Sequence, residues 1–295
     1  MSDELEKPPA ASVLDALLPP EMARKAEDIG VRKATGNPVN IFVLAVLAGA
    51  FIGLAAMFST VVTTGAAAHV GFGVTRLLGG VVFSLGLILV VVGGAELFTG
   101  NNLIVMAWAS RRVRSSQLLK NWALVYAGNF IGAAGTALLV YLTRQYAQAS
   151  GEVAKTALTI AHTKTQLGFF EAIVLGTLCN ALVCLAIWLT LSARSTTDKV
   201  LLLVPPIAAF VAAGFEHSVA NMYFIPLAML IQGNANPEFL ASLKLPEHLQ
   251  TTPTWHDFLL GNLLPVTIGN IIGGCILVGM VYWFLYLRGN RTQQN

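Results

Sequence analysis

Charge is scarce in this chain. Of 295 residues only 11% are Asp, Glu, Lys or Arg, and 55% are hydrophobic, with mean hydropathy +0.68. An ordinary soluble domain carries about 25% charged residues, so the composition calls for an integral membrane protein. A secretory leader is also lacking: the start reads Asp3-Glu4-Leu5-Glu6-Lys7-Pro8-Pro9, acidic and without an apolar run. Cysteine is rare. Cys179, Cys184 and Cys275 lie in apolar runs at spacings that suit no zinc knuckle, which leaves them as reduced packing residues and gives no metal site. A net charge of +3 is too small to imply nucleic acid as a partner. No Gly-x4-Gly-Lys-Ser/Thr loop is present, which removes an ATP-driven pump, and nothing in the chain asks for a cofactor.

What is there is a series of uncharged runs. A helix needs about 20 residues to cross a bilayer. Runs of that order cover 41–62, 77–95 (resuming at 97–110), 121–143, 172–193, 200–215 (resuming at 218–237) and 258–287. The reading is an all-α protein with six spans, of which the second and fifth are broken by polar residues. Before them, from Val13 to Lys33, apolar residues recur at helical spacing; Pro20 and Glu21 suit a helix start, Arg32 and Lys33 an end. That stretch is too polar to span and is expected to lie on the membrane surface or against the bundle. Residues 1–12 are expected to be disordered. With both termini cytoplasmic, thirteen Lys and Arg fall inside and five outside, which satisfies the positive-inside rule. The expected organisation is a cytoplasmic segment at 1–36, a channel domain at 37–288 and a cytoplasmic tail at 289–295.

The most informative stretch is Gly214-Phe215-Glu216-His217-Ser218-Val219-Ala220-Asn221. An ionisable residue at membrane depth is costly and points to an ion or proton pathway. A histidine there can exchange a proton near physiological pH. An earlier stretch, Glu96-Leu97-Phe98-Thr99-Gly100-Asn101, matches it at an offset of 120 in Glu96/Glu216 and Asn101/Asn221. Six further positions match at an offset of 141, among them Asn121/Asn262, Gly128/Gly269, Asn129/Asn270 and Gly132/Gly273. The two matches together imply duplication, with halves at about 37–145 and 165–288. Three spans per half force the halves to face opposite ways, and breaks at corresponding places point to a transport site. On elementary grounds Glu96 and Glu216 cap the broken helices by accepting from free N–H groups, and the half-helix N-termini offer partial positive charge to an anion. Lys164, in a loop by sequence, reads as a solvated surface lysine.

The tracts Gly94-Ala95-Glu96-Leu97-Phe98-Thr99, Gly214–Asn221 and Thr267-Ile268-Gly269-Asn270-Ile271-Ile272-Gly273 resemble the formate/nitrite transporter family, over nearly the whole chain from Leu14 to Arg288. The resemblance implies an aquaporin-like protomer in a homopentamer in the inner (plasma) membrane, passing formate and related small anions. It makes His217 the central proton donor with Thr99 and Asn270 as neighbours, and Lys164 the residue that draws anions in. It places Phe83, Leu87 and Phe210 at an outer constriction and Leu97, Phe98 and Val183 at an inner one. Glu96, Glu216, Asn180 and Asn221 become loop supports. Glu96 stands where the formate branch is expected to have Asp, Gly100-Asn101 where Ser-Thr is expected, and Cys179-Asn180 is closer to the nitrite branch. A nitrite or hydrosulfide channel is therefore the alternative. Neither Asn37-Pro38 nor Asn236-Pro237 continues with Ala, so the paired motif of water channels is absent. An intramembrane enzyme finds no nucleophile–base pair, since His217 and Ser218 are chain neighbours that point different ways on a helix.

Overall fold

A computed structural model describes residues 16–291, and every described element is helical. The expected disorder at 1–12 and the tail at 292–295 lie outside the described residues. α1 (Pro19–Thr35) opens on Pro at its first positions, and the Glu21 carboxylate accepts from the Leu18 N–H, 2.9 Å away. α2 (Pro38–Thr63) is capped by the Asn37 side chain. α3 (Phe72–Gly93) stops at Gly94, whose φ of 80° only glycine adopts without strain. The chain restarts as α4 (Phe98–Asn101), tightens through a 3₁₀ turn at Asn102–Ile104 and ends as α5 (Val105–Ala109).

α6 (Ser115–Leu142) is the next long helix, and α7 (Glu152–Thr165) follows as a short amphipathic one. α8 (Phe169–Leu191) leads to α9 (Thr196–Ala213), which stops at Gly214 with φ 78°. α10 (Ser218–Asn234) resumes it, and the chain closes with α11 (Asp257–Tyr286), which contains two π-helical stretches. Six helices, α2, α3, α6, α8, α9 and α11, are long and apolar enough to cross a membrane. Both expected interruptions are visible as chain geometry, at 94–97 and 214–217.

The two halves pack alike. α6 lies so close on α2 that a methyl group added to Gly132 would run into the Val46 carbonyl oxygen, and one on Gly128 would meet that of Phe42. α11 lies on α8 in the same way, with Gly269 facing the Ile173 carbonyl and Gly273 that of Thr177. Small residues four apart permit this approach. The correspondence reaches beyond the expected halves, because α1 stands to the first break as α7 stands to the second. Equivalent positions also meet each other: the Tyr126 hydroxyl and the Thr267 hydroxyl, 141 residues apart, are 2.7 Å from one another.

Candidate functional site

Each break is held by a four-residue polar cluster buried among apolar helices. At the first, the Lys33 ammonium from the last turn of α1 lies 2.9 Å from Glu96 Oε2. Asn101 Nδ2 donates to Glu96 (2.6 Å) and to Asn121 Oδ1 (3.0 Å), and Asn121 Nδ2 donates back to the Lys33 carbonyl (2.9 Å). At the second, Lys164 from the last turn of α7 lies 2.8 Å from Glu216 Oε1. Asn221 Nδ2 donates to Glu216 (2.7 Å) and to Asn262 Oδ1 (2.7 Å), and Asn262 donates to the Lys164 carbonyl (2.8 Å). Buried carboxylates are tolerable when paired and hydrogen-bonded in this way.

Three expectations are corrected here. Glu96 and Glu216 do not cap the half-helices; their carboxylates are taken by a lysine and an asparagine side chain. The caps come from the facing long helices: Asn129 Oδ1 accepts from the Phe98 N–H (2.9 Å) and Asn270 Oδ1 from the Ser218 N–H (3.0 Å). Their amides donate to the Glu96 and Glu216 carbonyls. With those N–H groups satisfied, less of each half-helix N-terminus is open to an anion than its dipole alone suggests. Lastly, Lys164 is not a solvated lysine, for its side chain is only 14% exposed and its ammonium is ion-paired.

His217 is 3% exposed and is itself the N-cap of α10. Its Nδ1 accepts from the Ala220 N–H at 3.1 Å, and its Nε2 lies 3.1 Å from Thr99 Oγ1. An acceptor at Nδ1 puts the proton of the neutral ring on Nε2, facing Thr99. Asn180 ties both breaks together, donating to the Thr99 carbonyl, Asn102 Oδ1 and the Asn270 carbonyl.

Two cavities approach this point from opposite sides. One, of about 540 Å³, is lined by Lys164, Arg76, Phe83, Phe210, Glu216 and His217. The other, of about 320 Å³, is lined by Lys25, Lys33, Glu96, Leu97, Gly100 and Lys199. Thr99 lies between Leu97 and Gly100 in the chain, so the His217–Thr99 contact joins a residue lining the first cavity to the segment lining the second. Phe83 and Phe210 pack edge to face (5.8 Å between ring centroids) and Phe210 stacks on the His217 ring (6.0 Å). Leu87 is buried and lines neither cavity. On the other side Leu97 reaches its cavity, whereas the Phe98 ring packs against Tyr126 and Trp122, and Val183 is buried without lining either cavity. Lys33, Asn101, Asn121, Asn129 and Asn262 were absent from the sequence-based site. The offsets of 120 and 141 carried the signal for the asparagines; nothing in the sequence pairs Lys33 with Glu96. Among the described residues no cluster of three His, Cys, Asp or Glu could hold a metal ion.

Six spanning helices around buried polar breaks define a multi-pass membrane protein. The model for the formate/nitrite transporter family matches residues 20–284, and the chain belongs to that family. It is 48% identical to the formate channel FocA of Escherichia coli (strain K12), over 95% of this chain and 98% of that protein. It is 40% identical to the formate channel FocA of Haemophilus influenzae, over 92% and 95%. Its fold is similar to a solved pentameric formate channel with formate bound, with a TM-score of 0.80 at 45% identity, covering 85% of this chain and 98% of that one. A solved FNT family ion channel gives 0.74 at 27% identity, covering 90% and 98%.

Proposed function

We propose that this protein passes formate and related small weak-acid anions across the inner membrane, as a homopentamer with one path through each protomer. The reading is carried by the buried His217–Thr99 contact between two lysine-bearing cavities, in a chain 48% identical to a formate channel. The distribution of Lys and Arg supports a topology with both termini and the Lys33 cavity on the cytoplasmic side and the Lys164 cavity outside.

Lys164 raises the local anion concentration in the outer cavity. It suits this better than Lys33 because Lys33 also donates to Asn101 Oδ1, which leaves it fewer free N–H groups. A bare anion moving past Phe83, Leu87 and Phe210, then Leu97, Phe98 and Val183, would lose several kcal/mol of hydration. A proton removes that cost. Neutral His217 holds its proton on Nε2, and giving it up alone would leave an imidazolate. The donating form is an imidazolium that has taken a second proton on Nδ1 and released the Ala220 N–H. Its Nε2–H bond breaks as the O–H bond of formic acid forms, which leaves the ring neutral with its proton on Nδ1; loss of that proton and uptake of another on Nε2 restore the resting form. Thr99 and Asn270 keep ring and loop in place; Glu96, Glu216, Asn180 and Asn221 support the breaks.

The test is flux into liposomes loaded with a pH-sensitive dye. Formate entry should carry protons in the wild type, and His217→Asn should abolish most of it while the protein still assembles. A robust proton-independent formate current, little altered by His217→Asn, would sink the proposal. Gly100-Asn101 and Cys179-Asn180 favour nitrite or hydrosulfide as the second reading, which a substrate panel on the same liposomes separates. Recovery of chemically unchanged formate excludes an enzyme.

A further inference from the structure

The two breaks share their lysine, glutamate and asparagines, yet one cation serves only one of them. Arg76, in the second turn of α3, reaches across to the end of α9. Its Nη2 donates to the Val211 carbonyl at 2.6 Å and its Nε to the Ala212 carbonyl at 3.1 Å. Those carbonyls belong to the last turn before Gly214, three residues short of His217. The Val211 carbonyl also accepts from the Gly214 N–H at 3.1 Å, whereas the Ala212 carbonyl lies beyond the last bonds of the helix, and the C-terminal end of the helix dipole attracts a cation. The rigid planar fork of a guanidinium can hold two neighbouring carbonyls at once, as a lysine ammonium cannot hold them with fixed geometry.

The equivalent end of α3 has no such clamp. Among the described residues no side-chain donor reaches the Val91 or Val92 carbonyls, which correspond to Val211 and Ala212 at the offset of 120. Leu97 occupies the position equivalent to His217. Among the described residues the clamp is thus found only where the break bears an imidazole. It also sits where it can act, since Arg76 lines the same cavity as His217 and its Nη2 would lie 3.1 Å from a methyl group placed on Gly214.

We propose that Arg76 is a positioning residue for His217: it fixes the end of α9, and so the loop 214–217, so that Nε2 meets Thr99 and the substrate. This rests on the reading of His217 as the proton-handling group. The experiment compares wild type, Arg76→Ala, Arg76→Lys and His217→Asn as purified oligomers, by concentration-dependent formate flux in liposomes. Arg76→Ala should lower the maximal rate on the order of tenfold to a hundredfold, as a misplaced reacting group does, with half-saturation little changed. Arg76→Lys should restore part of that rate. The ¹⁵N shifts of the His217 imidazole should lose the single Nε2–H form in Arg76→Ala and recover it in Arg76→Lys.

A raised half-saturation with full maximal rate would make Arg76 an anion collector instead, and would overturn the inference. So would normal flux in Arg76→Ala beside a dead His217→Asn, which would leave the function intact. Normal flux in His217→Asn would remove the underlying reading itself. If Arg76→Ala does not assemble, Arg76→Lys decides: wild-type rate and wild-type imidazole shifts together would overturn the proposal.

Discussion

The two breaks are built alike and occupied differently. Lys33, Glu96, Asn101, Asn121 and Asn129 do for the first what Lys164, Glu216, Asn221, Asn262 and Asn270 do for the second. At the position following the glutamate, however, one has Leu97 and the other His217. The shared residues satisfy backbone and charge inside a membrane-spanning bundle, a need common to both. The residue that differs is the one that meets Thr99 and lines the larger cavity. The comparison separates what a broken helix requires from what the substrate requires.

Making the second break like the first is the severest test. His217→Leu should leave folding and assembly intact and reduce formate flux at least on the order of a hundredfold, the low end of what a positioned proton-transfer group contributes. Surviving flux would mean that the difference between the breaks is not the functional one. Removing a shared residue tests the other side. Asn129→Ala and Asn270→Ala each leave a buried N–H unpaired and should each cost about 1–3 kcal/mol of stability, read as a lower thermal midpoint. Only Asn270→Ala should also slow proton-linked flux, because the N–H it caps is next to His217.

The lysines give a gentler contrast. Lys164→Ala should depress uptake at low substrate and matter little at saturation, whereas Lys33→Ala should act chiefly on stability. Unchanged concentration dependence in Lys164→Ala would remove its collecting role. The smallest effect is expected at Arg112, whose guanidinium contacts Asp28 (2.6 Å) and Glu27 (2.9 Å) at the protein surface. The Asp28 hydrogen bond, with Glu27 behind it, raises its pKa above the ordinary value. The pair is exposed, so Arg112→Ala should cost no more than about 1 kcal/mol, in contrast to the buried pairs.

Much of this was legible in the sequence because its causes are local or periodic. Six apolar runs gave six spans, and Gly94 and Gly214 ended their helices where polar residues interrupted the runs. The offset of 141 already joined Asn129 to Asn270. What escaped was partnership across distance. Nothing local says that Glu96 accepts from Lys33 rather than from its own helix, or that the last turn of α7 tucks Lys164 under Glu216. Amphipathic α1 reads as a leader until Lys33 is seen to occupy the place that Lys164 holds in the other half.

The contact between Tyr126 and Thr267 has an evolutionary consequence. Positions that meet across a two-fold axis meet their own kind when two identical half-length chains pair. Such an ancestor could set tyrosine against tyrosine or threonine against threonine, never a large hydroxyl against a small one. The present pair, 2.7 Å apart, is open only to halves that are separately encoded and mutate separately. Separate coding thus frees each half from being its own partner, and with that freedom one break carries a leucine where the other carries a histidine.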